Sequence, residues 1–219
     1  MIFDTNNLVT RFVGKETKNL YFTADTHFGH SNILGFCDRP FKTIEEHDEV
    51  LVANWKKKIP ENAIVYHLGD VGFGSSERVK KILEELPGKI YLIVGNHDLP
   101  RIEAIKGRFE AVYWQHLLQI GRRFVALNHY PFLCYAGVYK KHLGHTTVQL
   151  FGHVHSLPGN KGTGLDIPRL DKLFPWQYDV GVDNNGFAPV SWTEIQAIME
   201  KRRQEAVMNS ENEQDENEP

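Results

Sequence analysis

The chain has 219 residues, enough for one domain with a sizeable core. Hydrophobic residues make up 41% and the net charge is only -3, which excludes a chain too polar to fold and a global basic field that would make nucleic acid an obligatory partner. Two cysteines, Cys37 and Cys134, with no CxxC pairing exclude a disulfide framework and a zinc knuckle and read as free thiols in a reducing compartment.

The opening stretch MIFDTNNLVTRFVG has no basic segment followed by a long apolar run. No later run approaches the roughly 20 apolar residues that span a bilayer. The expectation is a cytoplasmic protein with no membrane partner and no evident obligate protein partner.

Six short runs rich in β-branched and aromatic residues read as strands: Asn19–Asp25, Ala63–Asp70, Lys89–Asp98, Arg123–Pro131, Thr147–His155 and Tyr178–Asp183. Helices fall between them. Thr43 with Glu46 forms a capping box that opens a helix to Ile59, with Ile44, Leu51, Trp55 and Ile59 on one face. SSERVKKILEEL starts on a serine cap and stops at Pro87-Gly88. Two apolar runs flanking Gly121-Arg122 predict a hairpin. Ser191 with Glu194 caps a last helix to about Arg203. The pattern predicts an α/β fold in which two mixed sheets pack together, flanked by helices. Residues 1–205 form one domain, and 206–219 read as an acidic, disordered tail. Residues 133–146 and 156–177 show no period and read as loops.

Eleven histidines draw attention to the strand ends. Asp25 and His27 follow the first run, Asp70 the second, Asn96, His97 and Asp98 the third. His129 closes the fourth, and His153 and His155 the fifth. Ligand sites form at the carboxyl ends of strands in α/β sheets, so these groups can converge on one rim. Glycine directly before Asp70, Asn96 and His153 removes bulk where loops crowd. Two aspartates, an asparagine and four histidines offer mixed N and O donors. Such a set suits Mn, Fe, Zn or Ni better than Mg or Ca.

In this order, DTH, GD, GNHD, NH and GHVH closely resemble the motifs of the calcineurin-like metallophosphoesterase superfamily. YFTADTHFGH and VGVDNNGFAPVSWTEI are similar to its small bacterial and phage members. The resemblance implies a two-sheet α/β sandwich with a binuclear centre of two divalent ions, Mn foremost. Asp25, His27 and His155 would bind the first ion, Asn96, His129 and His153 the second, and Asp70 would bridge them. His97 would stand unligated by the leaving group as a proton donor or charge stabiliser. A metal-held hydroxide would then hydrolyse a phosphoester, a small phosphodiester or a nucleotide in the first place. A phosphomonoesterase, a nuclease and a non-catalytic scaffold are the alternatives.

In protein serine/threonine phosphatases of the superfamily, GD typically runs on into an Asp-Arg-Gly stretch that helps orient the next histidine. Here GDVGFG puts Phe73 at that aspartate, which argues against a protein phosphatase and leaves the partner of His97 open. Asp98 reads equally as a turn-capping carboxylate. Arg39, beside Pro40, is a candidate for gripping phosphate. His30 is a candidate for lining the pocket. Weaker candidates are His142, His145, Lys140 and Lys141. His47 reads as a surface or boundary residue, and His67 and His116 as packing residues.

Overall fold

The computed structural model describes residues 9–137, 147–157 and 173–215; for residue 203 and residues 205–215 it describes the backbone alone. Among the described residues, ten strands form two five-stranded mixed sheets. The first has the order β1 (Val9–Phe12), β6 (Gln115–Ile120), β7 (Arg123–Asn128), β8 (Val148–Phe151), β9 (Gln177–Asp179). Its one antiparallel pair is the β6–β7 hairpin, in which Ile120 faces Arg123 across Gly121-Arg122. Gly121 takes the positive φ, +59°, that so short a turn requires. The second sheet has the order β10 (Val190–Ser191), β2 (Leu20–Thr23), β3 (Ile64–His67), β4 (Lys89–Ile93), β5 (Val112–Tyr113). Here β2 to β5 run parallel and β10 is antiparallel.

Two apolar layers explain why β2, β3 and β4 read as nearly continuous hydrophobic runs. Between the sheets, Phe22, Tyr66, Leu68 and Ile93 meet Leu118, Val125, Leu127 and Leu150. On the other face, Val65, Ile90 and Leu92 pack on α2 (Ile44–Lys58) and α3 (Ser76–Glu85) through Leu51, Trp55, Val79 and Leu83. Strands covered on both sides cannot alternate. By contrast, β6 and β7 alternate buried and accessible residues, because their outer face is open.

The caps follow the sequence in part. Glu46 N–H donates to Thr43 Oγ1 at 3.2 Å, while Glu46 Oε2 accepts from Lys42 N–H at 2.7 Å rather than from Thr43. Glu194 N–H donates to Ser191 Oγ, and Ser191 N–H donates back to Glu194 Oε2. Ser75 stands at the N-cap of α3 without a side-chain hydrogen bond.

The strands are shorter than the runs, since their last polar residues belong to loops. The sequence pattern did not show β1, β5, β10, or the one-turn helices α1 (Ile33–Phe36) and α4 (Ile102–Ile105). The last helix, α5 (Trp192–Asp215), runs past the expected end near Arg203, so the boundary at 205/206 falls inside an element. No Gly or Pro interrupts that stretch. Among the described residues, no helix is long and apolar enough to cross a membrane.

Candidate metal centre

The residues following β2, β3, β4, β7 and β8 meet at one edge of the two sheets. Their loops are tied backbone to backbone. Asp25 N–H donates to Gly69 O at 2.9 Å, His27 N–H to Asp70 O at 3.0 Å, and Gly152 N–H to His129 O at 2.9 Å. The three glycines expected at points of crowding are at such points. A Cβ on Gly69 or Gly95 would fall 2.5 Å from backbone atoms of the neighbouring loop, and one on Gly152 would fall 2.5 Å from Asp25 Oδ2.

Five candidate ligands adopt positive φ: Asp25 (57°), His27 (49°), Asp70 (57°), His153 (74°) and His155 (47°). Each such non-glycine conformation is disfavoured by about 1–3 kcal/mol and persists only where the surroundings enforce it.

Two groups of side chains converge. Ligand atoms of Asp25, His27 and His155 lie within 4.8 Å of one another, and so do those of Asp70, His129 and His153. Asp70 Oδ2 lies 3.7 Å from His27 Nε2 and 3.5 Å from His129 Nε2, between the groups. Asn96 Oδ1 is 2.9 Å from His129 Nε2.

The donor set fits cations. Asp25 Oδ1 and both ring nitrogens of His27 are buried without a hydrogen-bond partner. An unsatisfied buried polar atom is unfavourable by about 1–3 kcal/mol, which a cation there would offset. His129 Nδ1 is 2.7 Å from Leu68 O, so it carries the proton, and a neutral His129 would turn the Nε2 lone pair on the Asn96 oxygen. A shared cation removes that conflict.

Burial pushes Asp25 up to about 7, against the lowering pull of His155 and His129. Burial, then His155 and Arg39, hold His27 well below the usual histidine range. Burial works against charge on Asp70, yet its hydrogen bonds with His129 and with the His97 N–H keep it below the ordinary carboxylate value. Burial likewise opposes charge on His129, but Asp70 and Asp25 raise it to about 9.

A pocket of about 520 Å³ opens over these groups, lined by His27, Asp70, His97, His153 and His155 and by apolar Phe36 and Phe73. His30 lines it too, and its ring stacks on Phe73 at 3.9 Å and 11°. His97 stands in the pocket with its N–H donated to Asp70 Oδ1 at 2.9 Å. Asp98 points elsewhere: its carboxylate accepts from the N–H groups of Gly95, Asp70 and Val71 at 2.8–2.9 Å. It caps the turn and locks the GD and GNHD loops together.

Arg39 corrects the expectation that it grips phosphate. It is 4% exposed, and its five N–H donors are all engaged within the protein. Nε and Nη2 form a bidentate pair with Asp183, both at 2.8 Å. Nη2 also donates to Asp25 O, and Nη1 to Thr26 O and His47 Nε2. His47 is correspondingly fully buried rather than at the surface, and its Nδ1–H donates to Asp48 Oδ1 at 2.9 Å. No donor remains for a substrate.

Asp183 is the main residue that the sequence reading missed. Its Oδ2 accepts from His155 Nδ1 at 2.8 Å, which frees Nε2 to face Asp25 and His27. Its place at the end of the apolar run Tyr178–Asp183 was the available signal. Cys37 also lines the pocket, its sulfur within 4.8 Å of His155 and Asp183 ligand atoms. Lys140, Lys141, His142 and His145 lie outside the described residues.

The profile of the calcineurin-like phosphoesterase family matches residues 18–174. An uncharacterized protein of Methanocaldococcus jannaschii is 40% identical over 83 residues, which are 37% of this chain and 47% of that protein, so the chain spans about half the length of that relative. The gene 66 protein of Mycobacterium phage D29 is 29% identical over 190 residues, covering 75% of this chain and 88% of that protein. Among solved structures, an Aquifex aeolicus protein of unknown function is similar in fold, with a TM-score of 0.61 and 24% identity over 82% of this chain and 98% of that one.

Proposed function

The chain belongs to the calcineurin-like phosphoesterase family, and from that premise we propose that it hydrolyses a small phosphodiester or a nucleotide at a centre holding two divalent ions. The family supports metal-dependent phosphoester hydrolysis in general. The binuclear reading rests above all on the two ligand groups that face each other across Asp70.

In this reading Asp25, His27 and His155 would hold one ion and Asn96, His129 and His153 the other, with Asp70 as a ligand available to both. Manganese is the first choice, with Fe, Zn or Ni also suited to the donors. When bound, such ions polarise phosphoryl oxygens and make a water nucleophile available near neutral pH.

The protein's own groups do the rest. His129 directs Nε2 inward because Nδ1–H donates to Leu68 O. His155 does so because Nδ1–H donates to Asp183. His97, whose ring nitrogens have no hydrogen-bond partner among the described residues, gives a proton to the leaving oxygen as the P–O bond breaks. His30, Phe36 and Phe73 form one wall of the pocket beside the ester group.

Metal-stripped protein resupplied with Mn²⁺ is assayed on bis-p-nitrophenyl phosphate and p-nitrophenyl phosphate, with Asp70→Asn as control. Metal-dependent turnover that favours the diester and is lost in Asp70→Asn is the expected result. Preference for the monoester would make it a phosphomonoesterase, and protein that binds no metal would refute the reading.

A further inference from the structure

We propose that Phe73 and Arg101 do for His97 what a carboxylate partner would do, as positioning residues that hold its imidazole toward the leaving group. This rests on the role given to His97 above. Phe73 stands where related phosphatases carry an aspartate, so a different device has to orient the ring. The Phe73 ring centroid is 4.7 Å from that of His97, at 53°. The same ring is fixed by parallel stacking on His30 at 3.9 Å and by the Arg101 guanidinium, whose Cζ is 5.0 Å from the centroid.

Arg101 also joins the two loops. Its Nε donates to Gly74 O at 3.0 Å, next to Phe73, and its Nη1 donates to His97 O at 3.2 Å. The His97 backbone is therefore anchored at both ends: its N–H on Asp70 Oδ1, its C=O on Arg101. The side chain leans on Phe73, which limits its rotation without occupying either nitrogen. Both nitrogens stay available to a leaving oxygen. A carboxylate would occupy one of them. In the step concerned, a water oxygen forms the new P–O bond and gives up its proton to bulk water, the ester P–O bond breaks, and a proton on the His97 ring passes to the leaving oxygen.

A proton donor matters more for a basic leaving group than for a stable one. The readout is the ratio of kcat on bis-p-nitrophenyl phosphate to kcat on diphenyl phosphate, or on the corresponding monoesters if these are the better substrates. General acid assistance of the usual size predicts that His97→Ala widens this ratio by about tenfold or more. Phe73→Leu and Arg101→Gln should each widen it by roughly fivefold, a part of the same effect. Mn²⁺ affinity, measured by calorimetry on metal-free protein, should stay at the wild-type value, and Phe73→Tyr should restore the ratio. An unchanged ratio in Phe73→Leu and Arg101→Gln beside a widened one in His97→Ala would overturn the clamp alone. An unchanged ratio in His97→Ala would remove the proton-donor role and the clamp with it. Should Phe73→Leu not fold, Arg101→Gln, altered at a half-buried rim residue, decides.

Discussion

His67 shows how a single buried imidazole sets a pH limit. Thr26 Oγ1 donates to Val71 O at 2.8 Å, so it accepts from His67 Nε2–H at 2.9 Å. Gly69 N–H donates to His67 Nδ1 at 3.2 Å. The neutral ring thus uses both nitrogens, and burial lowers its pKa from 6.5 to about 3. An unfolded chain takes up this proton below 6.5, whereas the folded one does not until about 3. Stability therefore falls as pH drops through that window. In metal-free protein, His67→Gln should reduce the pH dependence of urea unfolding between pH 6.5 and 4 by about one proton. An unaltered slope would show that His67 does not contribute it. At the same scale, Arg39→Ala leaves buried Asp183 without its guanidinium partner and should destabilise by about 3–5 kcal/mol in chemical denaturation. It should also weaken metal binding, since Asp183 orients His155. Full metal affinity in a folded Arg39→Ala protein would sever that link.

At the scale of elements, parallel strands of similar length all end at one edge, and the loops beyond them are hydrogen-bonded to one another. Asp98 spans the loops after β3 and β4, and Asp25 Oδ2 accepts from His153 N–H, linking the loops after β2 and β8. Movement of one loop disturbs ligands on another. Gly152→Ala tests this coupling. Its methyl would meet Ala24 Cβ and Asp25 Oδ2, both at 2.5 Å. The expected result is a folded protein by circular dichroism with Mn²⁺ affinity reduced about tenfold or more, equivalent to at least about 1.4 kcal/mol. Wild-type affinity would mean that the loops yield without moving the ligands.

For the whole molecule, the centre lies where the two sheets come together, so metal binding should stabilise both at once. A ligand present at about 100 times its Kd adds about 2.7 kcal/mol to the folded state. For a chain of this size that amounts to a rise in Tm of roughly 5–10 °C. The shift should be read by differential scanning calorimetry and should largely vanish in Asp70→Asn, which alters the carboxylate facing both ligand groups. A variant that keeps the full shift would place the stabilising ion elsewhere.

Much of this protein was determined by its sequence. Apolar runs closed by Asp, Asn, Gly and His marked the strands whose ends carry the site, because a buried parallel strand must be apolar and its exit carries the polar loop. The caps at Thr43 and Ser191 were legible because they depend on neighbours a few residues away. The tertiary structure alone decided what depends on distant partners. Arg39 reads from its neighbours as a cation available to phosphate; Asp183, 144 residues further on, turns it into a buried brace. His47 is polar and helical, yet Arg39 draws it inside. The short strands β1, β5 and β10 owe their pairing to sheet edges rather than to their own sequence. Positive φ at Asp25, His27 and Asp70 goes with hydrogen bonds between loops, and no local pattern encodes such bonds. Local propensity acts over a few residues, whereas burial and charge pairing act across the fold.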